Sequence, residues 1–157
     1  MSLETKANLK PETVTKLQDL IRINIDAYDG LRESAEEIKD PSIATLFREL
    51  AQERSKLATE LQDYVEWNGE EAIAEGSFAA GVHRAWINVR SKLNSGDPHV
   101  VLVDAEYGED QIKDAYEDAL TQTAGSAMNA ILQKQYSHVK AGHDRIRDLR
   151  DLYANRK

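Results

Sequence analysis

Glu49, Glu53, Glu106, Glu109 and His138 are the side chains in this sequence best suited to hold a hard cation or to trade protons. Carboxylate oxygens and an imidazole nitrogen together suit a divalent ion such as iron or manganese. Without a metal, the same groups can share protons inside a buried hydrogen-bonded cluster. Glu53 and Glu109 carry the most information, because each stands where the surrounding pattern asks for an apolar residue. One pattern reads Ile43, Leu46, Leu50, Glu53, Leu57, Leu61, Tyr64; another reads Leu102, Ala105, Glu109, Ile112, Tyr116, Ala119. A carboxylate on a core stripe needs a partner, since burying an unpaired polar group is costly. Two further stripes are interrupted in the same way, one by Asn24 with Tyr28 and one by Gln135, with His138 three residues on.

Helices must position these residues. Val14, Leu17, Ile21, Asn24, Tyr28, Leu31, Ala35 and Ile38 recur at steps of three and four, the spacing of one helix face turned to a core. That helix is expected to open at Pro11 and run to about Lys39. Asp40-Pro41 supplies an N-cap and a proline for the first turn of a second helix, which should end near Trp67 with Gly69 as its stop. Asp97-Pro98 repeats the device for a helix reaching about Leu120. A last helix from Ser126 to Tyr153 carries Met128, Ile131, Gln135, Val139, Gly142, Ile146, Leu149 and Tyr153 along its apolar side. Between residues 69 and 97 an acidic linker leads to an amphipathic stretch, Ser77 to Leu93, with Phe78, Val82, Trp86, Val89 and Leu93 on one side. It would span ~25 Å as a helix and serve as a crossover outside the core. The expectation is an all-α, single-domain four-helix bundle over residues 1–157, with 1–10 a flexible lead.

Counting outward from the short turn of each hairpin sets Glu53 opposite Ala27 and Tyr28, and Glu109 opposite His138. Stacked, the hairpins would form one mid-height layer of Asn24, Tyr28, Glu53, Glu109, Gln135 and His138, with Asp29, Glu49, Gln52 and Glu106 a turn or a face away. Besides Glu53 or Glu109 turning outward, two outcomes are open for it. The layer could converge on a cation, or close into a hydrogen-bonded structural layer that fixes register.

Several segments resemble the ferritin-like superfamily, and more closely a family of uncharacterised bacterial ferritin-like four-helix proteins: DAYDGLRESA from Asp26, DPSIATLFRELAQER from Asp40, HRAWINVRSKL from His83, EYGED from Glu106 and QYSHVKAGHDRIRDLR from Gln135. The resemblance implies a bundle with a long crossover between its second and third core helices. It also implies a di-metal site built from one Glu on each of two helices and Glu-x-x-His on each of the others. Glu106 matches the single Glu of the third helix, Glu49-x-x-Gln52 lacks the His, and Gln135-x-x-His138 lacks the Glu. Asp26 and Asp29 are the nearest carboxylates on the first helix.

Composition bounds the rest. A formal charge of −8 disfavours unaided binding to nucleic acid or anionic membranes, and no stretch approaches the ~18 apolar residues of a membrane span. The absence of cysteine excludes thiol nucleophiles and iron–sulfur ligation. No nucleophile elbow, phosphate-binding loop, dinucleotide fingerprint or HExxH is present. His83, His99 and His143 read as ordinary surface or structural histidines, and Trp67 as a packing residue. Phe78, Trp86 and Val89 are candidates for contact with a second copy in a twofold homodimer. The resulting expectation is a cytoplasmic, non-enzymatic, stress- or interaction-associated bundle with a degenerate metal site. The alternative is an iron- or manganese-binding oxidoreductase or iron-handling protein.

Overall fold

A computed structural model describes residues 4–75, Trp86, Val89 and 97–155. Those residues form four helices, α1 (Pro11–Glu37), α2 (Pro41–Trp67), α3 (Pro98–Gln122) and α4 (Asn129–Ala154), with no strand among them. The architecture is the all-α four-helix bundle expected.

The local chemistry sets the boundaries. Asp40 accepts hydrogen bonds from the backbone N–H groups of Ser42 and Ile43, and Asp97 accepts from that of His99, so each aspartate caps a helix that starts with proline. Gly69, at φ 78°, provides the left-handed turn that ends α2. The last helix begins three residues later than its apolar pattern suggests. Gly125 at φ 84° and a turn from Asn129 N–H to Ser126 O occupy the expected start.

Paired contacts give the helix directions. Lys16 meets Asp118 and Asn24 meets Tyr116, so α1 and α3 run antiparallel; Gln135 meets Glu60 and Arg145 meets Glu49, so α2 and α4 do as well. The α1–α2 and α3–α4 hairpins carry the closest packing. Because α2 and α3 therefore run the same way, residues 68–97 connect opposite ends of the bundle. The expected crossover helix Ser77–Leu93, and the proposed interface residue Phe78 with it, lie outside the described residues except at Trp86 and Val89. Both of these are helical and buried. Trp86 meets the Phe47 ring edge-on at 5.7 Å and lies against Gly30 of α1. It is thus packed within its own chain, not on a free face awaiting a second copy.

Residues 4–9, expected as a loose lead, are hydrogen-bonded to one end of the bundle. Asn68 accepts from Leu9 N–H and donates to Lys6 O. Glu4 accepts from Lys10 N–H and the Thr13 hydroxyl with one oxygen, and from the Ser126 hydroxyl and Ala127 N–H with the other. Lys10, at the N-cap of α1, has no side-chain cap of its own, so this carboxylate supplies acceptors for the starts of both α1 and α4. Burial works to raise the Glu4 pKa, but the hydrogen bonds from Ser126, Lys10, Thr13 and Ala127 outweigh it and hold the carboxyl below its usual range. A depressed folded-state pKa contributes stability at neutral pH that is lost as pH falls through that value. Glu4→Gln is accordingly expected to cost roughly 1 kcal/mol at pH 7, with the deficit closing in acid. Urea unfolding at both pH values checks this, and a deficit that persists unchanged in acid would refute the assignment.

Candidate functional site

Two polar assemblies among the described residues link helices across the core of the bundle. The first joins all four helices. Tyr116 of α3 donates its hydroxyl to Gln135 Oε1 at 2.7 Å and accepts from Asn24 Nδ2 at 2.8 Å. Gln135 Nε2 in turn donates to Glu60 Oε1 at 2.7 Å and to Leu57 O at 3.3 Å on α2. Asn24 Nδ2 also donates to Leu20 O, so both amide nitrogens have their donors engaged. Burial pushes the Tyr116 hydroxyl pKa up, which keeps it a neutral donor. Of the six residues expected in one mid-height layer, this assembly contains Asn24 and Gln135 and none of Tyr28, Glu53, Glu109 and His138. Tyr116 and Glu60 are members that pattern reasoning passed over.

The second assembly crosses the core diagonally. Arg54 of α2 and Glu109 of α3 are both fully buried, and Arg54 Nη2 lies 3.0 Å from Glu109 Oε2. Arg54 Nη1 is 3.5 Å from Glu53 Oε1. Burial pushes the Glu109 pKa up, and the guanidinium beside it pulls it partly back. Gly142 of α4 makes room for the arrangement: a Cβ there would stand 2.6 Å from Arg54 Nη2 and 3.0 Å from Leu50 Cδ2.

The expected partner of Glu109 was His138, and the structure corrects this. His138 is more than half exposed and approaches Glu53, at 3.8 Å. The histidine that faces α3 is His143, whose Nε2 lies 2.6 Å from Asp110 Oδ1 and 3.9 Å from Glu106 Oε2. The counting failed because it charged the turn as helix. Residues 123–128 are taken up by the turn, so α4 enters late and a residue further along it comes level with Glu109.

The five candidate ligands are not brought together. Glu109 is buried with Arg54, Glu53 is at the margin of the core, and His138 is outside it. Glu106 is paired with Arg150, and Glu49 is exposed and paired with Arg145. Tyr28 and Asp29 are half-buried at the edge of α1, Tyr28 lying under the Arg32 guanidinium, and Gln52 is exposed. No group of three or more His, Asp or Glu side chains among the described residues could hold a metal ion.

Residues 12–122 match the family described as Domain of unknown function (DUF2383). The match covers well over half of the chain, and the protein belongs to that family. No characterised protein matches the sequence.

Proposed function

We propose that this member of the family is a non-enzymatic helical module, related in design to ferritin-like bundles, in which an arginine–glutamate pair stands where such bundles hold metal. The observation that carries this is the fully buried Arg54 guanidinium, 3.0 Å from Glu109. A divalent cation seeking Glu109 and Glu53 would meet a fixed positive charge between them, in surroundings of low dielectric where like charges repel strongly. Displacing Arg54 would leave a guanidinium buried without its partner, which is also costly. The remaining carboxylates have lost their convergence, since Glu49 and Glu106 each neutralise an arginine of α4.

With its central polar groups committed to holding four helices in register, the bundle is left to work through its surface, as an interaction module. No helix among the described residues is long and apolar enough to cross a membrane. The test is thermal unfolding of metal-stripped protein with and without added Mn²⁺ or Fe²⁺. We expect the same Tm in both conditions. A ligand that binds the folded state at a hundred times its Kd adds about 2.7 kcal/mol, so a metal-dependent rise that disappears in Glu109→Gln would overturn the proposal.

A further inference from the structure

Arg54 and Glu109 meet at one point only. A fork-to-fork pairing would join Nε and Nη2 of the guanidinium to the two carboxylate oxygens. Here Nη2 reaches Oε2, while the buried Nε donates no hydrogen bond to any described protein group and the buried Oε1 accepts none. The same holds for Arg54 Nη1 and Glu53 Oε1, which lie 3.5 Å apart as charges without the alignment of a hydrogen bond. Donors and acceptors are thus orphaned side by side on two sides of one guanidinium. Buried orphans of this kind are rare, and each costs free energy comparable to a lost hydrogen bond.

We infer that the Arg54–Glu109–Glu53 centre binds internal water, accepting from Arg54 Nε and Nη1 and donating to Glu109 Oε1 and Glu53 Oε1. The atoms select the ligand. An anion would suit the guanidinium edge but would face two carboxylates, and a cation would face the guanidinium. Water is neutral, both accepts from N–H and donates to oxygen, and when buried usually makes about three such bonds. Glu53 retains nearly a third of its exposure and adjoins the exposed His138, so the site has a polar way out to solvent at the α2–α4 side.

The test combines water-proton or oxygen-17 magnetic relaxation dispersion with a high-resolution crystal structure of the whole chain. The wild type is expected to show at least one internal water of long residence, and the crystal an ordered oxygen within hydrogen-bonding distance of Arg54 Nε or Nη1 and one of the two carboxylates. Arg54→Met/Glu109→Leu removes three of the four orphaned atoms while preserving apolar volume, and should lose that dispersion amplitude. An unchanged amplitude in the double variant overturns the inference. So does a crystal in which Nε bonds Glu109 Oε1 directly and Nη1 bonds Glu53 directly. If the double variant does not fold, the wild-type crystal decides alone. A dry site would leave the metal-free reading standing, whereas a cation between the same atoms would overturn both.

Discussion

Arg54→Met should destabilise the protein by about 3–5 kcal/mol, the usual cost of stranding one member of a buried ion pair. That is a large fraction of the 5–15 kcal/mol typical of a folded domain. The loss is not that of an attractive contact alone. Glu109 is fully buried, and without the guanidinium its charge loses its one hydrogen-bonded ionic partner. Replacing both partners by apolar side chains should be far milder, since a well-packed hydrophobic pair is often as stable as the ion pair it replaces. Arg54→Met/Glu109→Leu is therefore expected to recover most of the loss. Urea unfolding of the wild type and the two variants reads this directly. A single-variant cost below about 1 kcal/mol, within the range of an exposed pair, would mean that Arg54 is not buried against Glu109.

The same variant should respond to pH in the opposite sense to an ordinary salt-bridged carboxylate. Burial raises the Glu109 pKa and Arg54 opposes that rise. Removing Arg54 takes away the largest opposing effects and leaves only the weaker pull of His143 against burial and the Glu53 charge. A carboxyl whose folded-state pKa lies above its unfolded value contributes stability that is complete below the unfolded pKa and lost as pH rises through the folded one. Acidification should therefore restore stability to Arg54→Met, and by more than it changes that of the wild type at this site.

What the pattern of residues could and could not reveal follows from the geometry of each element. The α3 stripe was fully legible: Leu102, Ala105, Glu109, Ile112, Tyr116 and Ala119 are all buried. In α2 the stripe was right from Ile43 to Leu50 and at Leu57 and Leu61, and wrong at its polar interruption, where Arg54 is buried in place of Glu53, and at its end, where Val65 is buried and Tyr64 only partly so. Steps of three and four both stay on one helical face, so Leu50 to Leu57 can pass through residue 53 or residue 54. Hydropathy favours neither charged residue. What decides is reach, because the long arginine stem can lie along apolar surface and carry its charge across the core. The signal available in the sequence was Gly142 in the middle of the last stripe, a gap of the kind a large side chain from another helix can fill. The metal-ligand expectation failed to assemble for a related reason. Glu49 and Glu106 have arginine partners on α4, at Arg145 and Arg150, that stripe reasoning assigns to solvent.

Gly30→Ala should weaken the fold even though it replaces glycine by the best helix former in the middle of α1. Helix propensity alone would give a gain of about 1 kcal/mol. Against it, the new Cβ would stand 2.2 Å from Trp86 Cγ and 2.4 Å from Trp86 Cβ, far inside van der Waals contact. These atoms are at the root of the side chain, so rotating the ring cannot relieve the clash and Trp86 has to lift away from α1. Its edge-on contact with Phe47 would loosen with it. Overpacking of this kind typically costs 1–3 kcal/mol, and against the propensity gain of about 1 kcal/mol we expect a net loss of up to about 2 kcal/mol. Fluorescence reports on the cause. Trp67 is 62% exposed and Trp86 2% exposed, so in a Trp67→Phe background the emission comes from the buried ring alone. Gly30→Ala should shift that emission to the red. Adding Trp86→Gly removes both Cβ and Cγ from the site, and in that background Gly30→Ala should become neutral or stabilising, as its helix propensity predicts. A rise in stability with unchanged emission in the single variant would show that Trp86 does not pack on Gly30.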